Sequence, residues 1–209
     1  VKIGIDLDNT LIDYSQSFLS AGRRLGVLPL DFEGGKIKIR AYLRGEAEAY
    51  LGEQRWQQLQ FAVYASEILS APVFEGALDF MQQALKKGHS LSIISHKTVY
   101  AAQDHAKTIN LQKQAMKWIE AQLNPACDDY FQLNRNVFFL ETRQAKIEQV
   151  RACGCDLFID DLIEVLQDKA FPKRIQKVWF CPDGRAECSE AQALELCQVT
   201  SWKALCRLL

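Results

Sequence analysis

Val1-Lys2-Ile3-Gly4-Ile5-Asp6-Leu7-Asp8-Asn9-Thr10 opens the chain as an apolar run that carries two carboxylates, Asp6 and Asp8, at its end, with Thr10 closing the turn. Side chains of a strand alternate with period two, so Asp6 and, just past the pleat, Asp8 point to one mouth. Two carboxylates so placed can divide the work of phosphoryl transfer. One attacks phosphorus as a covalent nucleophile, and the other protonates the leaving oxygen and later takes a proton from water. Their negative charge would repel a phosphate. A hard divalent cation, most naturally Mg2+ held by one or two carboxylates and substrate oxygens, removes that obstacle.

Three further stretches complete a set. Leu91-Ser92-Ile93-Ile94-Ser95 is a second apolar run and ends in a hydroxyl able to donate to a phosphoryl oxygen. Lys146 begins the amphipathic stretch Lys146-Ile147-Glu148-Gln149-Val150 and can neutralise charge between nucleophile and phosphate. Asp156-Leu157-Phe158-Ile159-Asp160-Asp161 is a third apolar run and ends in a carboxylate pair. Strand ends carrying Asp-x-Asp-x-Thr, then Ser, then Lys, then Asp-Asp resemble the four motifs of the haloacid dehalogenase-like hydrolase superfamily, over nearly the whole chain.

The resemblance implies an aspartyl-phosphate mechanism. Asp6 corresponds to the nucleophile, Asp8 to the general acid/base, Ser95 to the hydroxyl of the second motif and Lys146 to the lysine of the third. Asp161 corresponds to the extra metal ligand, joining Asp6 and the backbone carbonyl of Asp8 around Mg2+, with Asp160 supporting it or competing for the role. Dehalogenases of the superfamily lack the second aspartate of the first motif, so Asp8 favours phosphate chemistry over carbon–halogen cleavage. The implied activity is that of a Mg2+-dependent phosphatase acting on a small phosphorylated metabolite. A phosphomutase with the same centre is the alternative within the enzymes, and a catalytically silent binding or regulatory domain is the alternative outside them. The complete set of charged positions counts against the latter.

Apolar runs at 2–5, 91–94, 137–140, 157–159 and 178–180 alternate with helical patterns, which predicts an α/β, Rossmann-like parallel sheet with helices on both faces. Ligands of such sheets lie beyond the carboxyl ends of the strands, where Asp6, Ser95 and Asp161 fall. From Tyr14 to about Pro72 the strand pattern stops, and Leu51, Trp56, Leu59, Val63 and Ile68 recur at mostly helical spacings. The expected organisation is a catalytic core of residues 1–13 and 73–209 with a helical insertion at 14–72, matching the small cap of one branch of the superfamily. Ala77–Lys87 reads as a helix stopped by Gly88. Leu111, Ala115, Trp118, Ile119 and Leu123 predict an amphipathic helix inside a longer elaboration between Thr98 and Asn136.

Length, charge and cysteines bound the alternatives. With 209 residues there is room for one well-buried domain and a modest insertion. A net charge of -1 with both signs interspersed gives no sustained field for a nucleic-acid backbone or an anionic membrane, and no apolar run reaches the ~20 residues of a membrane span. Seven cysteines without a paired framework, and no leader at the start, predict a soluble protein of the reducing cytoplasm. Cys153-Gly154-Cys155 lacks the second pair that a zinc site needs and reads as packing.

Some residues carry two readings. Asp160 and Asp161 are also suited to the amide end of a helix beginning near Leu162. Lys97 stands close enough to Ser95 to rival Lys146 as the source of positive charge. His96 reads as a polar strand-end residue and Glu164 as a surface residue near a cap. Lys36, Arg40 and Arg44, four apart, would share one helix face, either solvated or gripping a second anionic group of a substrate.

Overall fold

The computed structural model describes residues 1–45, 49–101, 103–182 and 196–209. They form two compact units. The first comprises Val1–Ile12, Val73–Thr98 and Ile119–Leu209, and the second Asp13–Pro72 and Val99–Trp118.

The first unit is built on a six-stranded parallel sheet: β1 (Lys2–Ile5), β2 (Ser90–His96), β3 (Val137–Leu140), β4 (Leu157–Asp160), β5 (Gln176–Phe180) and β6 (Cys197–Val199), in the order β3-β2-β1-β4-β5-β6. β1 and β4 are buried along nearly their whole length, as strands covered on both faces must be, which is why their sequences read as apolar runs rather than as alternations. β1 is central, with Ile5 beside Ile93 of β2 and beside Ile159 of β4. Gly4 permits this close packing, since a Cβ there would stand 2.6 Å from the Phe158 ring. β6 is a strand that the hydrophobic pattern does not announce.

The helices of this unit follow their sequence signals. Gly76, at φ 81°, leads into α4 (Ala77–Lys86), which buries Ala77, Phe80, Met81 and Ala84, and Gly88 at φ 78° turns the chain toward β2. α6 (Arg143–Ala152) starts at Thr142, whose hydroxyl accepts from the Ala145 amide at 3.1 Å, and α7 (Ile163–Leu166) follows β4. α8 (Trp202–Leu205) is capped in the same way by Ser201. One face of the sheet packs Phe158 and Trp179 against Ile147, Val150, Val165 and Leu166. Cys155 lies in this core, and burial pushes its thiol up to about 12, which leaves it an inert packing residue.

The second unit is helical: α1 (Ser15–Arg24), α2 (Lys36–Gly45), and α3 (Ala49–Ala62) continuing through a π-helical turn at Val63–Glu67. Its centre is aromatic. Phe18 stacks on Trp56 with ring centroids 5.5 Å apart, and Tyr14 and Phe18 each meet Tyr64 edge-on. The basic stripe of α2 is not simply solvated. Lys36 lies over the Tyr64 ring, Arg40 over the Trp56 ring, and Arg44 donates to Glu53 at 2.9 Å. Residues 99–118 belong with these helices through Gln103 donating to Gln57 at 2.7 Å and the Trp118 indole donating to the Ala71 carbonyl at 2.8 Å. Leu111 opens α5 (Leu111–Gln122), the helix anticipated from its apolar spacing. No helix among the described residues is long and apolar enough to cross a membrane.

Candidate active site

Parallel strands all end at the same side of a sheet, and the carboxyl ends of β1 and β4 carry the acidic groups. Asp6 follows β1, its amide donating to the Ile159 carbonyl at 2.9 Å, and it is buried. Asp160 is the last residue of β4 and is fully buried, and Asp161 follows, half-buried. One carboxylate oxygen from each of Asp6, Asp160 and Asp161 lies within 4.8 Å of the others.

Three carboxylates at that separation repel one another unless positive charge intervenes. Lys146 supplies it. From the first turn of α6, with 1% of its surface exposed, its ammonium donates to Asp6 at 2.6 Å and to Asp160 at 2.7 Å. The two acids raise the lysine above its usual range in spite of burial, so it stays charged. Burial pushes the Asp6 carboxyl up to about 7; Lys146 pulls against that rise, while Asp160 and Asp8 add to it. The second oxygen of Asp160 accepts from the Leu162 amide at 2.9 Å, so this carboxylate serves both the lysine and the entry to α7. The Asp161 backbone carbonyl accepts from the Trp179 indole at 3.1 Å.

Asp8 lies in the turn after β1. Leu7 O accepts from the amides of Leu11 at 2.9 Å and Ile12 at 3.0 Å, and Asn9 takes up the left-handed conformation at φ 58° that so tight a reversal needs. The Asp8 carboxylate is paired with Lys97, 3.1 Å from one oxygen and 2.8 Å from the other. The two lysines therefore occupy different places: Lys146 joins Asp6 to Asp160, and Lys97 holds Asp8. Ser95 sits buried two residues earlier in β2, beyond the Ile93 that pairs with Ile5. His96 is exposed and bonds the Glu141 carbonyl at 3.0 Å, and Glu164 is exposed.

Solved structures with the same arrangement of elements are numerous. A haloacid dehalogenase-like family hydrolase from Streptococcus pneumoniae matches 100% of this chain over 98% of its own, with a TM-score of 0.62 at 15% identity. The chain has the fold of the haloacid dehalogenase-like hydrolases. YfnB of Bacillus subtilis, a protein of the same fold in its magnesium-bound form, matches 100% of this chain and 97% of its own at 15% identity, with a TM-score of 0.54. A hydrolase of the haloacid dehalogenase family from Deinococcus radiodurans, with bound phosphate and sodium, matches 98% and 92% at 13% identity, also with a TM-score of 0.54. No family model matches the sequence, and no curated protein matches it.

Within this haloacid dehalogenase-like fold, the donor set at the strand ends consists of carboxylate oxygens, the ligands that Mg2+ and other hard cations take. Asp160 accepts from Lys146 through one oxygen and from the Leu162 amide through the other, and Asp6 accepts from the same ammonium. Neither Lys97's partner nor the Trp179 contact can be read from the sequence. Both depend on which strand ends lie side by side.

Proposed function

We propose that this chain is a Mg2+-dependent phosphatase of small phosphorylated metabolites, working through an aspartyl-phosphate on Asp6. The observation that carries the reading is the contact of one buried ammonium, Lys146, with Asp6 and Asp160 beside Asp161. A positive charge held against a carboxylate at a strand end keeps that carboxylate oriented and softens the approach of a phosphoryl dianion. The magnesium-bound and phosphate-bound neighbours of the same fold are in keeping with it.

In this reading an Asp6 oxygen attacks phosphorus while the bond to the leaving oxygen breaks, and Asp8 delivers the proton that the leaving oxygen needs. Water then attacks the phosphoryl group on Asp6, giving its proton to Asp8, and inorganic phosphate and the free Asp6 carboxylate result. Ser95 donates to a phosphoryl oxygen. Asp6, Asp161, the Asp8 carbonyl and, in support, Asp160 would hold Mg2+, which supplies positive charge to the phosphoryl oxygens when bound. The insertion at 14–72 is assigned to a cap that selects the leaving group, and residues 1–13 with 73–209 to the catalytic core.

Release of inorganic phosphate from p-nitrophenyl phosphate tests the proposal. The purified protein should turn over with Mg2+ and stop with a chelator, and Asp6→Asn should be folded and inactive. Phosphate release by Asp6→Asn at the wild-type rate would remove the nucleophile assignment, and failure of the wild type on a broad panel of phosphate esters would favour a silent binding domain.

A further inference from the structure

We propose that Trp179 is a positioning residue that sets Asp161 for the metal ion, an inference that rests on the Mg2+ reading above. Each residue of the cluster has restraints of its own. Asp6 is fixed by strand pairing and by Lys146, and Asp160 by Lys146 and the Leu162 amide. Asp161 lies one residue beyond β4, in the bend that leads to α7, where strand pairing has ended. There the Trp179 indole donates to its backbone carbonyl at 3.1 Å.

The register makes the contact, because Trp179 pairs with Asp160 across β4 and β5, which leaves its indole one step from Asp161. The ring has little freedom: it is 2% exposed and belongs to the buried cluster that includes Ile147, Val150, Val165 and Leu166. A donor fixed in the core therefore pins the peptide that leaves Asp161, and with it the frame from which the Asp161 carboxylate projects. Mg2+ demands near-ideal octahedral geometry, so a ligand arising from a bend gains most from such a restraint. Removal of a partner that orients a metal ligand typically weakens metal binding about 10- to 100-fold.

Trp179→Phe keeps an aromatic ring in the core and removes the N–H. Mg2+ binding is measured by isothermal titration calorimetry, without substrate, on the wild type, Trp179→Phe and Trp118→Phe, the last of which loses an equivalent indole–carbonyl bond in the helical unit. The dissociation constant should rise about 10-fold or more in Trp179→Phe and stay within about twofold of wild type in Trp118→Phe. Equal affinity in wild type and Trp179→Phe overturns the positioning role while leaving the phosphatase reading intact. A wild type that binds no Mg2+ overturns both. Should Trp179→Phe fail to fold, the indole N–H resonances of the 15N-labelled wild type decide. The Trp179 signal should be protected from exchange and move on Mg2+ addition, and a freely exchanging signal indifferent to Mg2+ contradicts the proposal.

Discussion

Lys146 donates to Asp6 at 2.6 Å across 140 residues of sequence, and the same ammonium reaches Asp160 at 2.7 Å. Removing one member of a buried charge group leaves the others uncompensated, at a cost of about 3–5 kcal/mol. Lys146→Met should therefore lower unfolding free energy by about 3 kcal/mol and abolish phosphate release. Urea denaturation and a phosphate assay check the two effects. A stable, active Lys146→Met protein would place the compensating charge elsewhere.

Protonation of Asp6 links stability to pH in the metal-free protein. Burial raises its carboxyl to about 7, whereas the unfolded chain releases that proton near 4. Between those values the folded state holds the extra proton, so this group's contribution to stability is full at low pH and is lost as pH rises through about 7. In the presence of a chelator, wild type should lose stability relative to Asp6→Asn between pH 5 and pH 8. Parallel stability curves for the two proteins would show that Asp6 does not titrate in this window.

The Lys97 contacts to both oxygens of Asp8 orient the group assigned to proton transfer. A proton donor matters most where the leaving oxygen is a poor one. Asp8→Asn, and to a lesser degree Lys97→Met, should depress turnover of an alkyl phosphate at least tenfold more than that of p-nitrophenyl phosphate. Equal losses on both esters would assign the pair to binding instead.

Arg44 of α2 and Glu53 of α3 form an exposed ion pair that also holds the Glu53 carboxyl below its usual range, chiefly through the hydrogen bond from Arg44. Exposed pairs contribute under about 1 kcal/mol, so Arg44→Ala should barely change the melting temperature or the hydrolysis of p-nitrophenyl phosphate. If the insertion selects the leaving group, the same variant re-ranks the rates on a panel of phosphorylated metabolites. A panel unchanged in order puts specificity outside the α2 stripe.

The sequence revealed those features that depend on short stretches of chain. Asp6, Ser95 and Asp160 stand at the ends of apolar runs, and such runs are legible because parallel strands are buried on both faces. β6 is not legible in this way, since Cys197–Val199 is three residues long and only Val199 is fully buried. The place of Lys146 ahead of the strand ending in Asp160-Asp161 favours it over Lys97 as the lysine of the third motif, but what Lys97 touches is not legible in the sequence. Lys97 meets Asp8 because the turn after β1 folds beside the end of β2, and the Trp179 contact follows from the β4–β5 register. Likewise, residues 99–118 lie far in sequence from the helices of 13–72, and contacts such as the Trp118 bond to Ala71 tie them together.

A covalent phosphate on Asp6 can be trapped directly. Protein mixed with 32P-labelled substrate and Mg2+, quenched in acid within a turnover and mapped by mass spectrometry, should carry hydroxylamine-labile label on the peptide containing Asp6. Asp6→Asn should carry none. Phosphate release by the wild type without any labelled protein, or equal label on Asp6→Asn, would contradict the aspartyl-phosphate account.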